Sequence, residues 1–530
     1  MNSIPLVFAI TGHRDIDNKD IECLKEKVVN VFSEYKKKYP NTDIVLLTAL
    51  SEGADILVAE VALNNNILVK VILPFEKEKY LEGFEDKGAV DKFNDLISIH
   101  KCVEITLEPK ENSDLCYDNL GKYLVNNCNI LLALWDGENN SKIGGTSEVV
   151  NYMETETCAA GGLFDSSHDK LLVIINTPRI SNKTRISNLF EIKTQDQDVF
   201  TNSIEKIDRL NAEFSNYVDE NANKTLIKNA YEYFDGRANE LQKKYKSFFV
   251  WILISSLISV VSLEIMHVLQ VEVFTFVYGL GLIIAFSIYN FLLKKGQIYQ
   301  DYIYSRGFSE ILRVQNIWNH ANIKSQNNLN TRDNVSNYLH DMGNKFTWLK
   351  VAIKNISYID TTPFTSNGEP DDYNHKNWID DQLDYFENAI KKRKKKLNFW
   401  NNIEKFLYKS GLIALLLMFF VFSLEYFQIV EKYGLWLNWH YLILFSSISL
   451  ITASFIGEKY IKTESYEEEI IDFTAASTYF KKAKYMMEEY NNKDQSDLNK
   501  IIFDLSLKIL KENCKWLILR GSRNIKVDVE

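Results

Sequence analysis

Short polar and glycine-containing motifs follow apolar runs in the first third of the chain, and their residue types suit a phosphorylated ligand. The candidate ligand-binding residues are Thr11, Gly12, His13, Arg14, Ser51, Glu52, Gly53, Asp55, Pro74, Phe75, Trp135, Asp136, Gly137, Gly144, Gly145, Thr146 and Glu148. Glycines at helix starts let backbone N–H groups approach a phosphate closely, and the helix dipole adds attraction. Arg14 could pair with a phosphate. The carboxylate of Asp55, Asp136 or Glu148 could accept hydrogen bonds from a ribose hydroxyl.

The elements that must position these residues alternate apolar runs with amphipathic stretches, a pattern typical of a parallel α/β sheet. Predicted strands cover residues 6–10, 44–49, 68–73, 130–135 and 170–176, and predicted helices cover 20–39, 53–64, 89–96 and 147–158. In such sheets ligands bind outside the carboxyl ends of the strands. Since each motif follows a predicted strand, we expect the motifs to meet at one edge of the sheet.

In their order along the chain, these motifs resemble the SLOG superfamily. The residues that carry the resemblance are Thr11-Gly12-His13-Arg14, Ser51-Glu52-Gly53-Ala54-Asp55 with Ala59-Glu60-Val61-Ala62, Leu73-Pro74-Phe75 with Tyr80, Leu134-Trp135-Asp136-Gly137, and Gly144-Gly145-Thr146. The superfamily includes DprA-like DNA-uptake proteins, LOG-type nucleotide phosphoribohydrolases and the cytosolic sensor region of TRPM channels. The resemblance spans about residues 4–180 and implies a Rossmann-like fold that binds nucleotides or their derivatives at these loops.

One departure from the LOG hydrolases bears on mechanism. Those enzymes carry a pattern like P-G-G-x-G-T-x-x-E, whereas here Ile143 precedes the glycine pair, Thr146 follows it directly and Glu148 comes two residues later. A shift of one residue on a helix turns a side chain by about 100°. The sequence therefore favours a sensor over an enzyme. The alternative is a membrane-anchored LOG-like phosphoribohydrolase or NAD-cleaving hydrolase that uses Glu148 or Asp55.

Four charge-poor stretches later in the chain approach the roughly 20 apolar residues that a membrane-spanning helix needs. They cover about residues 248–268, 273–293, 407–427 and 441–457 and form two hairpins. Lysines and arginines flank the hairpins on one side, and the tips contain only Lys432. Cytoplasmic segments carry such basic excess. We therefore expect a multi-pass membrane protein with both termini in the cytoplasm.

Two features of the hairpins invite functional interpretation. Glu264 and Glu425 lie in matching Ser-Leu-Glu motifs near the outer end of the first helix of each hairpin. They are candidates for a pore mouth or for helix pairing, because ionisable groups in membranes are costly and often functional; alternatively, both only reach the outer interface. The basic run at residues 391–396 is predicted to anchor on anionic lipid headgroups, with a nucleic-acid patch as the alternative reading.

The helical parts resemble SLATT-type modules, which combine two transmembrane helices with a following cytosolic helix. Residues 306–318 carry this likeness, and the second copy, with Thr474-Ala475-Ala476, departs further from it. The predicted domains are a SLOG-like sensor at 1–180, a linker and helix at 181–246, a first two-span module at 247–350, a cytosolic connector at 351–406 and a second two-span module at 407–530.

Bulk composition excludes several function classes. The 530-residue chain has a formal net charge of −10, so no overall basic field attracts nucleic acid and we expect no nucleic-acid partner. The six cysteines form no C-x-x-C pair, which leaves a zinc site or redox couple unsupported, so no metal is predicted. Residues 1–9 lack the basic start of a signal peptide, and we expect no cleaved leader.

The two resemblances, together with the predicted spans, imply an effector of the bacterial inner membrane, because SLATT-type modules are found beside nucleotide-sensing and nucleotide-synthesising domains in bacterial conflict systems. The SLOG-like domain is expected to bind a nucleotide second messenger of the ADP-ribose or cyclic ADP-ribose type, and the spans to form a pore or disrupt the bilayer in anti-phage defence. We expect a homo-oligomer, partnered by the bilayer and by a messenger-producing enzyme encoded nearby, with no cofactor other than the nucleotide-derived ligand. A constitutive transporter with a regulatory domain is a third reading, for which only hydroxyls such as Ser255, Ser256 and Ser259 offer polar groups near the midplane.

Overall fold

A computed structural model describes the chain at residues 2–100, 102–139, 142–155, 170–181, 188–194, 198–221, 224–294, 297–321, 323, 333–339, 342–359, 375–427, 439–489 and 495–522. Its strands are β1 Leu6–Gly12, β2 Ile44–Thr48, β3 Leu68–Leu73, β4 Val103–Thr106, β5 Ile130–Trp135, β6 Leu171–Asn176 and β7 Ile192–Thr194. They form one sheet in the order β4-β3-β2-β1-β5-β6-β7. Every pairing is parallel except the antiparallel pair of β6 and β7.

The central strands are buried on both faces, which explains their nearly continuous apolar sequences. Val7, Phe8, Ala9 and Ile10 are fully shielded from solvent in β1, as expected of a parallel strand covered by helices on both sides. The five predicted strands are confirmed to within two residues at each end. The short strand β4 and the exposed strand β7 were not predicted, and both lie at the edges of the sheet.

Helices follow most of the strands and fill the crossovers that parallel pairing requires. They are α1 Ile21–Lys38, α2 Ala54–Asn64, α3 Lys77–Leu81, α4 Lys87–His100, α5 Ser113–Asn127, α6 Thr146–Thr155 and α7 Asp198–Glu220. Helix α1 buries Leu24, Val28 and Val31, a spacing that keeps apolar side chains on one face. The order of the strands reverses between β1 and β5. From β1 the chain adds β2, β3 and β4 on one side of the sheet, and from β5 it adds β6 and β7 on the other side.

Eight further helices complete the described chain. They are α8 Leu226–Leu269, α9 Val273–Lys294, α10 Gln297–Ala321, α11 Thr347–Ile359, α12 His375–Tyr426, α13 Trp439–Glu464, α14 Tyr466–Glu489 and α15 Gln495–Ser522. The chain divides into two compact units. The first contains Met1–Asp235, Gly307–Asp372 and Ser506–Ile518, and the second contains Gly236–Arg306, Tyr373–Leu505 and Leu519–Glu530.

The first unit is larger than the sensor domain predicted at 1–180, because helical segments from later in the chain fold with the sheet. Asn355 of α11 donates to the backbone oxygen of Pro5 at 2.7 Å and to the side chain of Asn129 at 2.8 Å. Trp318 of α10 donates its indole N–H to Ser506 of α15 at 2.6 Å. Segments that the sequence assigned to two separate helical modules therefore belong to the core that holds the sheet.

The second unit is helical throughout its described residues, and it contains the apolar stretches. Among the described residues, three helices contain a stretch that is long and apolar enough to cross a membrane: Leu226–His267, Val273–Asn290 and Trp378–Leu424. The fourth predicted span, 441–457, lies in helix α13, where Glu458 and Lys459 end the apolar sequence, and it is not among the three. Membrane association is thus supported by three helices rather than the expected four.

Small residues bring the helices of each hairpin together. Gly281 of α9 faces the hydroxyl of Ser259 on α8, and Ser447 of α13 donates to the backbone oxygen of Gly411 on α12 at 3.0 Å. Such contacts are typical of helix packing inside membranes. An ion pair joins the two hairpins, since Lys246 of α8 lies 2.6 Å from Glu464 of α13, whose side chain is only 5% exposed.

Several predicted membrane features lie partly outside the described residues. Glu264 is half-buried in α8, whereas the side chain of Glu425 and the tip at residues 428–438, with Lys432, are not described. The basic run at 391–396 lies inside the continuous helix α12, thirteen residues before Lys409 near the apolar stretch. At a rise of 1.5 Å per residue this places the run about 20 Å along the helix from that end of the span.

Candidate functional site

A cavity of about 280 Å³ opens at the carboxyl ends of the strands in the first unit. It is lined by Ile10, Thr11, Gly12, His13, Arg14, Asp15, Ala49, Ser51, Asp55, Tyr80, Asp114, Tyr117, Leu120, Gly121, Leu124, Lys142, Ile143, Gly144, Gly145, Thr146, Val149 and Arg179. These residues lie at the end of β1, follow β1, β2, β3, β5 and β6, or lie on α5 and α6. The cavity therefore sits at the point where strand order reverses, the usual ligand crevice of an open α/β sheet.

Nine of the predicted site residues line this cavity together. They are Thr11, Gly12, His13, Arg14, Ser51, Asp55, Gly144, Gly145 and Thr146. The loops after β1, β2 and β5 therefore meet as expected from the sequence, although their motifs are up to 135 positions apart. The remaining predicted residues, Glu52, Gly53, Pro74, Phe75, Trp135, Asp136, Gly137 and Glu148, are not among the lining residues, and several of them hold the loops in place.

His13 fixes the loop after β1 to the loop after β5. Its Nε2 atom accepts a hydrogen bond from the backbone N–H of Asp136 at 2.9 Å and lies 3.1 Å from the Asp136 carboxylate. Burial lowers the pKa of His13, against the opposing pull of Asp136. An Nε2 that accepts from a backbone N–H carries no proton, so the neutral ring fits this geometry. His13 and Asp136 thus form a structural tie at the cavity wall.

Gly53 allows the loops after β1 and β2 to cross. Its φ is +78°, in the region that favours glycine, and a Cβ atom here would lie 2.5 Å from the backbone oxygen of His13. That same oxygen accepts a hydrogen bond from Ala54 N–H at 3.0 Å. The crossing places the start of α2, with Asp55 in its first turn, against the loop that carries Arg14.

Arg14 supplies positive charge at the solvent-exposed side of the cavity. Its guanidinium lies 5.7 Å from the centre of the Tyr117 ring and donates to the backbone oxygen of Gly83 at 3.4 Å. It also makes a hydrogen bond with the side chain of Tyr117. A guanidinium has five N–H donors, so donors remain for a phosphate. A second guanidinium, that of Arg179, is paired with Asp15 at 2.9 Å.

Asp55 and Tyr80 form the buried polar part of the cavity. Asp55 is 4% exposed and Tyr80 is 1% exposed. Burial raises the pKa of Asp55 to about 6, against the pull of the Ser51 hydrogen bonds and of Arg14. The hydroxyl of Tyr80 has no hydrogen-bond partner within the described part of the chain, and burial together with the charge of Asp55 raises its pKa well above the ordinary value. Buried hydroxyls are usually hydrogen-bonded, so this one stands out.

Glu148 shapes the glycine loop rather than lining the cavity. Its carboxylate accepts a hydrogen bond from Gly144 N–H at 2.5 Å, which turns the loop back on the start of α6. Gly144 has a φ of +68°, and a Cβ atom there would lie 2.5 Å from Cβ of Tyr117. The first-turn carboxylate and the glycine together orient the backbone of residues 144–146 at the N-terminus of a ten-residue helix.

The predicted residues outside the cavity mostly have structural partners. Glu52 accepts a hydrogen bond from Asp86 N–H at 2.7 Å, and Trp135 donates its indole N–H to the backbone oxygen of Glu138 at 3.2 Å. Phe75 packs edge-on against Tyr80 and Tyr117, with ring centres 6.0 and 5.8 Å away. Phe75 therefore supports the aromatic wall from behind.

Sequence reasoning missed the lining residues contributed by α5 and by the ends of loops. Asp114, Tyr117, Leu120 and Gly121 lie on α5, a helix that the apolar pattern did not predict. Arg179 follows the last residue of β6 by three positions and was not singled out. The signal that could have identified Arg179 is its place after a predicted strand, the same rule that selected Arg14.

Groups of three or more His, Cys, Asp or Glu side chains that could hold a metal ion do not occur among the described residues. The cavity instead combines exposed cationic groups, the N-terminus of helix α6 and a buried carboxyl. Sequence comparisons add no relative, since neither a family model nor a curated protein matches this chain.

Proposed function

We propose that this chain is a membrane-bound sensor whose cavity binds a nucleotide-derived second messenger, of the ADP-ribose or cyclic ADP-ribose type. The observation that carries the proposal is the meeting of Arg14 with the backbone of Gly144, Gly145 and Thr146 in one cavity at the switch point of the sheet. A guanidinium and a helix N-terminus are the groups that proteins use to bind phosphates. The resemblance of the motifs to the SLOG superfamily supports the same ligand class.

The apolar helices of the second unit are proposed to carry out the response in the membrane. Three helices are apolar enough to span a bilayer, and we assign helix α13 as the fourth span, so that two hairpins cross the bacterial inner membrane with both termini in the cytoplasm. Lys405 and Lys409, both exposed on α12, lie nearer the apolar stretch than the run at 391–396. We therefore assign the contact with anionic headgroups to this pair, because basic residues at that boundary attract such lipids.

Ligand binding is proposed to act on a homo-oligomer, in which the hairpins open a pore or disturb the bilayer of a phage-infected cell. Glu264 and Glu425 remain the candidates for the pore mouth. The messenger would come from an enzyme encoded nearby. A ligand can shift such an equilibrium only by its difference in affinity for the two states, so leakage through the wild-type chain should rise as the ligand binds.

The test is the release of ions and of a trapped dye from liposomes that contain the full chain. ADP-ribose, cyclic ADP-ribose and nucleoside monophosphates are added singly, and release is compared with binding measured on the same preparation. We expect release with at least one compound, and its loss in Arg14→Ala. Lys19→Ala is a matched control, since Lys19 is an exposed cation after the same strand but pairs with Asp17 outside the cavity. Binding without any release refutes the effector proposal.

A hydrolase is the second candidate, and one observation favours it. Asp55 is a buried carboxyl in the cavity with a pKa of about 6, and carboxyls shifted towards neutrality are typical of general acids and bases. Glu148, the other candidate, already accepts the Gly144 N–H. Turnover of nucleoside monophosphates or NAD by the full chain, abolished in Asp55→Asn, would favour the enzyme over the sensor.

A further inference from the structure

Of the three carboxylates that the sequence offers for a ligand hydroxyl, the structure leaves one at the cavity. Asp136 lies beside the buried His13 ring and accepts from Glu138 N–H at 3.0 Å. Glu148 accepts from Gly144 N–H. Asp55 lines the cavity, where its carboxylate accepts hydrogen bonds from Ser51, whose backbone N–H lies at the long distance of 3.4 Å, and from the backbone of Ala49. A carboxylate offers about four acceptor positions, so Asp55 keeps room for a ligand donor.

Tyr80 adds an independent observation. Its side chain is 1% exposed and lines the same cavity, and its hydroxyl finds no partner among the residues that the structure describes. The aromatic ring is held by Phe75, Phe84, Phe93 and Tyr117, with ring centres 5.4 to 6.4 Å away. The ring is therefore fixed in place while its polar end lacks the hydrogen bond that buried hydroxyls normally make.

The lining residues differ in the ligand groups that they suit. Arg14 and the N-terminus of helix α6 at Thr146 suit an anion, whereas the Asp55 carboxylate suits hydrogen-bond donors and the Tyr80 hydroxyl can donate or accept. A phosphate oxygen beside Asp55 would place two like charges together, which costs free energy. One ligand can reach all of these residues, because they line one cavity of about 280 Å³.

We propose that Asp55 and Tyr80 form a hydroxyl-recognition pair that receives the sugar of the ligand, with its phosphate held at Arg14 and the glycine loop. The proposal rests on the proposed nucleotide-binding function and adds to it the orientation of the ligand and a preference for ribose over deoxyribose. Asp55 accepts from a sugar hydroxyl, and the Tyr80 hydroxyl donates to or accepts from the neighbouring one. A deoxy sugar leaves these buried groups unpaired, which is the strongest source of discrimination that a site can have.

The test compares matched ligands on the full chain in lipid nanodiscs. Ribose 5-phosphate differs from 2-deoxyribose 5-phosphate by one hydroxyl. AMP likewise differs by one hydroxyl from 2′-deoxy-AMP and by another from 3′-deoxy-AMP. We expect wild type to bind a ribose compound at least about tenfold more tightly than one of its deoxy partners, since a buried hydrogen bond to a charged group is worth at least that factor. Asp55→Asn and Tyr80→Phe should lower this ratio towards one, chiefly by weakening ribose binding.

Tyr80→Phe also has a ligand-free readout. Removing a hydroxyl that lacks a partner should raise the unfolding temperature of the free protein while weakening ribose binding. Tyr123→Phe is the matched control: its hydroxyl is buried away from the cavity and lies 3.0 Å from that of Tyr358. This control should unfold at a lower temperature and keep the ribose preference.

The outcomes separate the inference from the function on which it rests. Equal binding of ribose and deoxyribose compounds overturns the hydroxyl pair and leaves nucleotide sensing intact. No binding of any phosphorylated probe overturns both. An unfolding temperature that falls in Tyr80→Phe shows that the hydroxyl is already satisfied in the free protein, and this result also overturns the pair.

Discussion

Replacing Asp55 by asparagine should stabilise the ligand-free protein at neutral and alkaline pH. Burial raises the pKa of Asp55 from 3.8 to about 6, and a tenfold change in protonation corresponds to about 1.36 kcal/mol. Holding Asp55 ionised therefore costs the folded state about 3 kcal/mol above pH 6. Asparagine is nearly the same size and carries no charge, so Asp55→Asn should regain much of that free energy of unfolding.

The sign of the pH dependence follows from the raised pKa. Between about pH 4 and pH 6 the folded protein binds a proton at Asp55 that the unfolded chain has released, so the contribution of Asp55 to wild-type stability falls as pH rises through this window. Below pH 4 the carboxyl is protonated in both states and the advantage of Asp55→Asn disappears. The difference between the two proteins isolates Asp55, because Arg14, Tyr80, Glu52 and His13 are present in both.

Thermal unfolding of the full chain in nanodiscs, measured at pH 4 and pH 8, checks this expectation. At roughly 2–4 °C per kcal/mol for a domain of 150–250 residues, Asp55→Asn should unfold several degrees higher than wild type at pH 8 and within a degree or two of it at pH 4. Asp114→Asn is the matched control, because Asp114 also lines the cavity but is exposed. An equal gain at both pH values, or a loss at pH 8, refutes the reasoning.

Three further changes test other parts of the structure. Gly53→Ala should weaken binding of the cognate nucleotide more than tenfold, because its Cβ would meet the backbone of His13 and Arg14. Gly137→Ala is the control: Gly137 also has a positive φ but nothing within 4 Å of its Cβ position, so the change should cost only backbone strain of about 1 kcal/mol. Equal nucleotide affinities of the two variants would contradict the crossing of the loops at Gly53. Lys246→Ala should lower the free energy of unfolding by about 1–3 kcal/mol, because it leaves the buried Glu464 carboxylate unpaired. The double exchange Lys246→Glu with Glu464→Lys should restore part of the lost stability. Lys462→Ala, which breaks an exposed ion pair, should change stability little. Because burial lowers the pKa of His13, the unfolded chain binds this proton first, so His13 should lower stability as pH falls below about 6.5, opposite in sign to Asp55. His13→Gln should remove this contribution and exposed His267→Gln should not, as the differences from wild type in unfolding midpoint at pH 5 and 7.5 will show.

The sheet was largely predictable because its strands are buried on both faces. Continuous apolar runs such as residues 130–135 admit few other readings when glycines and polar turns bound them. The edge strand β7 is exposed along its whole length, so it has no apolar pattern to detect. Helix α5 was not predicted, although its buried Cys116, Leu120 and Leu124 recur at helical spacing.

The site was predictable in position and only partly in role. The rule that loops follow strands to one sheet edge located Arg14, Asp55 and the Gly144 turn, because backbone topology fixes where those loops meet. It could not separate Asp55 from Asp136 and Glu148, since all three are carboxylates after strands or at helix starts. Their roles depend on which backbone N–H each one meets, and that is decided by tertiary packing.

The division of the chain into units has a consequence for how a ligand could act. Trp318 on α10 and Ser506 on α15 are bonded inside the unit that contains the cavity, and both helices continue past the limits of that unit along the chain. Coupling between sites requires an element with two arrangements that both sites bias. Breaking the Trp318–Ser506 bond by Ser506→Ala should therefore alter the nucleotide concentration needed for membrane leakage more than it alters nucleotide affinity. A parallel change in both quantities would show instead that this bond serves the stability of the sensor unit alone.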